Sequence, residues 1–398
     1  MSTIKKWFEA LTHKSSGVSS SSSSASTAPV TTKPETEKTA AGAVGATSST
    51  NASSAAAIAA AAATQKRAFI IGINYLDSDN QLKGCINDAL GVYNMLTTHY
   101  GYSPINVLLL TDDTGFKPTR DNILEGLKWF LSSSPASEFA GKGKGSIDGS
   151  SGSATPGLSG TDGTKPPGAR SAVEAVAMAE AEARATAATK KGKKGKKATA
   201  AAAKKEYAKL IPGTTLYFHY SGHGDRELKG EGSGEDEEDG RDEFIVPSDS
   251  EKAGVILDDT LRSELVNKVP STCRLFATVD ACSSGTSFDL RWILGPWKAK
   301  DQYSVREQKK CAQTSAQVLM LSGCADDKSS FDARDRRDYY GALTLSMLQV
   351  LDDANYAPMQ AAELVDRVRQ YIYDHDYVKQ VPCLSFGRVA DFTAGWQI

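Results

Sequence analysis

The chain has 398 residues, with 46 Lys and Arg against 48 Asp and Glu and a formal net charge of −2. That balance gives no global drive toward nucleic acid or acidic membrane, and no apolar run reaches the ~20 residues needed to span a bilayer. Six cysteines (Cys85, Cys273, Cys282, Cys311, Cys324 and Cys383) show neither CxxC nor zinc-type spacing, which reads as reduced thiols in a cytoplasmic protein.

Residues 1–65 read as a disordered arm. The opening "MSTIKKWFEALTHKSS" lacks the apolar stretch of a secretory signal. Residues 15–64 are almost all Ser, Ala, Thr, Gly and Val, too poor in large apolar side chains to offset ordering entropy. Order begins at "RAFIIGINY", a short apolar run expected to be a buried parallel strand. "DALGVYNMLTTHYG" has helical spacing and stops at Gly101. "INVLLLTDD" predicts a second buried strand, and "TRDNILEGLKWFLSS" a second helix capped by Thr119 or Asp121. Strands alternating with helices argue for an α/β parallel sheet.

Residues 133–206 break the pattern with Ser/Gly-rich, Ala/Glu-rich and Lys-rich tracts, and read as a low-complexity surface insertion. Loop-closure entropy grows slowly with length, so a domain tolerates it. The cluster Lys190 to Lys197 reads as a solvated loop, with a nuclear-targeting or polyanion-binding patch as the alternative. Order returns with "TTLYFHYSGHG", a third buried strand, followed by an acidic loop and the short strand in "DEFIVPSD". "LRSELVNKV" predicts a helix and "RLFATVDACSSG" a fourth buried strand. After a linker near 295–313 come "AQVLMLSGCADD" as strand, "GALTLSMLQVL" and "MQAAELVDRVRQYIYDH" as helices, and "VPCLSFG" as strand or edge.

Ligands of open α/β sheets bind beyond the carboxyl ends of the parallel strands. Two strands deliver reactive side chains there, one running into Ser221-Gly222-His223-Gly224 and the other into Asp280-Ala281-Cys282-Ser283-Ser284-Gly285. A Cys and a His on separate strand ends suit nucleophilic catalysis, the thiolate attacking and the imidazole handling protons. His219 lies within its strand among apolar neighbours and reads as a packed core histidine. The other cysteines read as small buried hydrophobes.

The blocks "RAFIIGINY", "LKGCINDA", "LLLTDD…PTRDNI", "HYSGHG", "DGRDEFIVPSD", "DACSSG" and "LSGCADD…GALT" occur in an order that resembles the metacaspases, caspase-like cysteine peptidases. The resemblance implies a caspase-like three-layer α/β sandwich whose mostly parallel sheet is flanked by helices. Residues 66–297 would be its large-subunit-like part and 298–398 its linker and small-subunit-like part, one peptidase domain of type I arrangement over 66–398. It implies His223 and Cys282 as the catalytic pair, with backbone N–H groups at Gly224 and Cys282 as oxyanion donors. Cys85, Asp88, Ser221 and Asp280 would line a pocket for the Arg or Lys before the cut, since paired carboxylates meet a guanidinium well. Asp242, Asp258, Asp259 and Asp289 would hold an activating Ca²⁺, hard oxygens suiting that ion. The resemblance also implies autoprocessing, a monomer, protein substrates, and roles in cell death, stress response or protein quality control. Lys66, Arg67, Lys298, Lys300, Arg306, Lys309 and Lys310 are the basic residues at junctions where cleavage is expected. Two positions depart from the family pattern, Ser283 after the nucleophile and Ala281 before it. They admit an alternative, a caspase-fold pseudo-peptidase acting as a scaffold or binding protein.

Overall fold

The computed structural model describes residues 65–141, 207–228, 241–282, 284–295, 304–323, 332–335, 338–375, 380–391, 395–396 and 398. Residues 1–64 of the arm, the cluster Lys190 to Lys197, Ser283 and Cys324 lie outside them. In chain order the elements begin with β1 (Lys66–Gly72), α1 (Cys85–Thr98), β2 (Val107–Thr111), α2 (Arg120–Phe130), β3 (Thr215–Ser221), β4 (Gly224–Leu228) and β5 (Arg241–Ile245). Next come α3 (Ser250–Ala253), β6 (Ile256–Leu257), α4 (Asp258–Glu264), β7 (Arg274–Asp280), β8 (Trp292–Gly295), β9 (Ser304–Glu307) and β10 (Gln317–Ser322). The last are β11 (Asp332–Asp335), β12 (Asp338–Gly341), α5 (Ala342–Asp353), β13 (Met359–Gln360), α6 (Ala361–Asp374), β14 (Cys383–Phe386) and β15 (Gly395–Trp396).

The main sheet has the order β2-β1-β3-β7-β10-β14-β8-β9. Its first five strands pair in parallel and the last three join by antiparallel pairings, so it is a mixed, mostly parallel sheet flanked by helices, as expected. Alternate residues of each strand face opposite layers. Phe69, Ile71, Phe218, Leu275 and Met320 share one core with Ile123 and Leu127 of α2 and Leu261 of α4. On the other face the Tyr217 hydroxyl reaches Met347 Sδ of α5 at 3.8 Å, and Trp396 packs edge-on against Tyr217 and Phe276. Thr119 caps α2, its hydroxyl accepting the Asn122 N–H at 3.3 Å.

Several boundaries differ from the sequence expectation. The linker near 295–313 contributes β9, which pairs antiparallel with β8 just ahead of it, and β14 is no edge strand but lies between β10 and β8. Residues 133–141, expected within the insertion, pack on α2. Ser134 O accepts from buried Arg67 at 2.8 Å, and Pro135 O accepts from the Trp129 indole at 3.0 Å. Two buried donors needed acceptors, and this short segment supplies them.

Arg67 is fully buried against the Trp129 ring, and Lys66 is a half-buried residue of β1. Neither lies in exposed chain, which corrects their expected place as cleavage junctions. Among the described residues, no helix is long and apolar enough to cross a membrane.

His219 is 0 % exposed, with Nδ1 at 2.7 Å from the Thr278 hydroxyl and no hydrogen-bond partner for Nε2 among the described residues. Burial pushes its pKa from 6.5 down to about 3. The unfolded chain therefore binds a proton below pH 6.5 that the folded chain refuses. Stability from this site is complete above pH 6.5 and is lost on acidification toward pH 3, at up to about 1.4 kcal/mol per pH unit. Urea unfolding between these limits is expected to show a steeper acid loss than in His219→Gln; equal slopes would contradict it.

Candidate active site

β3 and β7 are neighbours in register, with Ser221 opposite Asp280. His223 and Cys282 each lie two residues beyond that pair, so adjacent parallel strands carry them past the same sheet edge. The turns then pack closely. Gly222 N–H donates to Asp280 O at 3.3 Å, and a Cβ on Gly224 would lie 2.6 Å from Cys282 O and 3.0 Å from Ala281 Cβ. Glycine at 224 is therefore required for the two turns to meet. Cys282 is half-buried, and Cys85, Cys273, Cys311 and Cys383 are buried; none of these five is in a disulfide.

His223 Nε2 lies 2.7 Å from the carbonyl oxygen of Asn80. A carbonyl only accepts, so Nε2 carries the hydrogen and donates it. That leaves Nδ1 to exchange a proton. The loop bearing Asn80 is anchored at its start by Asp112, whose carboxylate accepts the N–H groups of Asn74 and Leu76, both at 3.0 Å. Sequence reasoning did not single out Asn80, Asp112, Tyr75 or Tyr220. Tyr75 and Asp112 lie in the blocks "GINY" and "LLLTDD" and Tyr220 in "HYSGHG", each at the end of a buried strand; Asn80 had no such signal.

Val246 N–H donates to His223 O at 3.2 Å, which makes those two residues a hydrogen-bonded position of the β4–β5 ladder. Gly224, opposite Ile245, is then a non-hydrogen-bonded position, and its N–H points away from β5.

Asp88 and Asp280 come together around Gly341. A Cβ there would collide with Asp280 Oδ2 and lie 2.8 Å from Asp88 Oδ2. Asp88 is 0 % exposed; it accepts the Gly341 N–H at 2.9 Å and the Ser221 hydroxyl at 2.6 Å. Asp280 Oδ2 accepts the N–H and hydroxyl of Thr344 at 2.8 and 2.9 Å, and its Oδ1 accepts from Gln380 at 3.4 Å. Both carboxylates thus bind backbone N–H groups at the start of α5, where the helix dipole favours negative charge. Buried Cys85 opens α1, one turn before Asp88. Thr344 and Gly341 were not foreseen as partners, because the contact joins residues far apart in sequence.

A second group of acids lies on the α4 side. Carboxylate oxygens of Asp258, Asp259 and Asp289 all lie within 4.8 Å of one another. Asp242 is buried in β5 and is not one of that trio, but its negative charge acts on Asp258. Burial first, and Asp242 with it, push the Asp258 carboxyl up to about 6. Three hard oxygen donors this close suit a divalent cation of the calcium type.

A family model described as the metacaspase, peptidase C14 domain matches residues 66–151 and 170–291. Metacaspase-1 of Debaryomyces hansenii is 27% identical over 335 residues, 72% of this chain and 58% of that protein. Metacaspase-1 of Scheffersomyces stipitis is 26% identical over 337 residues, 73% of this chain and 63% of that protein. The chain thus spans less than two thirds of the length of these relatives. A solved structure of a Geobacter sulfurreducens protein aligns with TM-score 0.43 at 16% identity, over 83% of this chain and 97% of that one. By the matched domain and the blocks that carry it, this chain belongs to the metacaspase family.

Proposed function

We propose that the chain is a calcium-activated cysteine endopeptidase that cuts after Arg or Lys through the His223–Cys282 pair. The observation that carries this reading is the equal overhang of the two residues from in-register strands. An Arg or Lys side chain enters beside Asp88 and Asp280, and the scissile carbonyl lies over Cys282. The Cys282 thiolate attacks it, and the backbone N–H groups of Cys282 and Gly224 hold the oxyanion. His223, held by Asn80, gives its proton to the leaving amine, and water then hydrolyses the acyl-enzyme. Reporter peptides ending in Arg or Lys are expected to be hydrolysed in calcium, and Asp-terminated ones to resist; the reverse preference would refute the pocket.

Asp258, Asp259 and Asp289 would hold the calcium ion, which would offset their mutual repulsion and tie α4 to the turn bearing Asp289. Added calcium is expected to raise stability by about 2.7 kcal/mol at a hundredfold excess over Kd. Thermal unfolding of wild type and Asp289→Asn checks this: a calcium shift of the same size in both would exclude the trio as the site.

Lys309 and Lys310 lie in an exposed turn before β10 and are the favoured sites of self-cleavage among the described residues. Arg306 is paired within β9, and Lys298 and Lys300 lie outside the described residues.

A further inference from the structure

In a regular antiparallel pair, His223 and Val246 would exchange two backbone hydrogen bonds. Only one forms, from Val246 N–H to His223 O at 3.2 Å. The other is replaced by a relay. His223 N–H donates to the Tyr75 hydroxyl at 2.9 Å, and that hydroxyl donates to Val246 O at 2.7 Å. A second phenol sits beside it. The Tyr220 hydroxyl donates to His223 O at 2.7 Å, accepts the Val246 N–H at 3.2 Å and lies 3.2 Å from the Tyr75 hydroxyl. Each hydroxyl thus gives its one proton and accepts in return.

Three further features mark this as a built arrangement. The Tyr75 ring packs on the His223 imidazole with centroids 4.5 Å apart. Tyr75 takes a left-handed backbone, φ 52°, which a bulky non-glycine residue adopts only under constraint from its surroundings. A Cβ on Gly222 would lie 2.7 Å from the Tyr220 hydroxyl and 3.0 Å from that of Tyr75, so the turn before His223 leaves room for both phenols. Burial raises the pKa of both phenols, keeping them protonated as donors.

We infer that Tyr75 is a positioning residue for the base: its hydroxyl wedges the β4–β5 ladder open at His223 and, with Tyr220, sets where the imidazole stands relative to Cys282. Without the hydroxyl the ladder closes, His223 N–H moves toward Val246 O, and the imidazole retreats from the nucleophile. The inference rests on the peptidase reading for its effect on turnover, but the placement of His223 is testable without it.

The test uses the full chain carrying Tyr75→Phe, which keeps the ring contact and removes only the hydroxyl. With calcium and an Arg reporter, kcat is expected to fall about ten- to a hundredfold while KM changes by less than about twofold. Alkylation of Cys282 by iodoacetamide at neutral pH, mapped by peptide mass spectrometry, is expected to slow toward the rate of His223→Ala. A role in stability alone would lower the unfolding temperature and leave that rate unchanged. Tyr220→Phe, which removes the bond to His223 O, is expected to act in the same direction and serves if Tyr75→Phe does not fold. The inference is overturned if a folded variant alkylates and turns over at the wild-type rate, or if wild type itself alkylates no faster than His223→Ala. A wild type inert toward every Arg and Lys reporter sinks the peptidase reading instead, because alkylation needs neither substrate nor calcium.

Discussion

Cys282→Ala is expected to lower kcat on an Arg reporter by about 10⁴-fold or more while leaving the fold intact. Cys282 is a half-buried thiol at a turn, so trading its sulfur for hydrogen opens no cavity in the core. The proposed chemistry, by contrast, loses the atom assigned to form the acyl bond. His223→Ala is expected to cost nearly as much, because the thiol then lacks the group that takes and returns its proton. The two losses should not add: with either residue gone the covalent route is closed, and what remains is binding and oxyanion stabilisation. Steady-state kinetics on both single variants and the double variant checks this. Additive losses would mean that the residues act separately, and near-full activity in Cys282→Ala would transfer the nucleophile elsewhere.

The second large effect is expected at Asp280. In Asp280→Asn the amide oxygen can still accept from Thr344, so the cap on α5 survives and the protein should fold. The proposed pocket loses one full negative charge beside Asp88. A buried guanidinium left short of a partner costs about 3–5 kcal/mol, so kcat/KM for Arg reporters should drop by about 10²–10⁴. Reporters with a neutral residue before the cut should change little. Equal losses on both classes would assign Asp280 to the scaffold; a selective loss assigns it to recognition.

Much of the fold was legible in particular segments. "RAFIIGINY", "TTLYFHYSGHG" and "RLFATVDACSSG" are continuous apolar runs because parallel strands covered on both faces have no solvent side to mark with polar residues. Their abrupt endings in Gly, Ser, His and Cys marked the reactive sheet edge. Strands β8, just ahead of the linker, and β9, within it, were not foreseen, since four-residue strands carry too little periodicity to register. Arg67 misled for a related reason: a basic residue beside a low-complexity arm reads as exposed, and only its stack on Trp129 and its bond to Ser134 O show why it is buried. The acidic trio gathers Asp258 and Asp259 with Asp289, thirty residues on; Asp242, which the family pattern groups with them, is buried in β5 with its charge acting on Asp258.

By itself the sequence determined the residue types: a Cys and a His each freed by small neighbours at a strand end, and acids in number enough for a basic side chain and a hard cation. Those follow from local composition and strand pattern, which the chain carries wherever it folds. The tertiary structure decided which of them meet. Register between β3 and β7 brought His223 level with Cys282, and the start of α5 drew Asp88 and Asp280 to one point at Gly341. A loop before α1 supplied the Asn80 carbonyl that holds the imidazole and the Tyr75 hydroxyl that holds the His223 backbone N–H. These contacts join residues up to 253 positions apart. No local pattern encodes such pairings, because they are set by how layers pack.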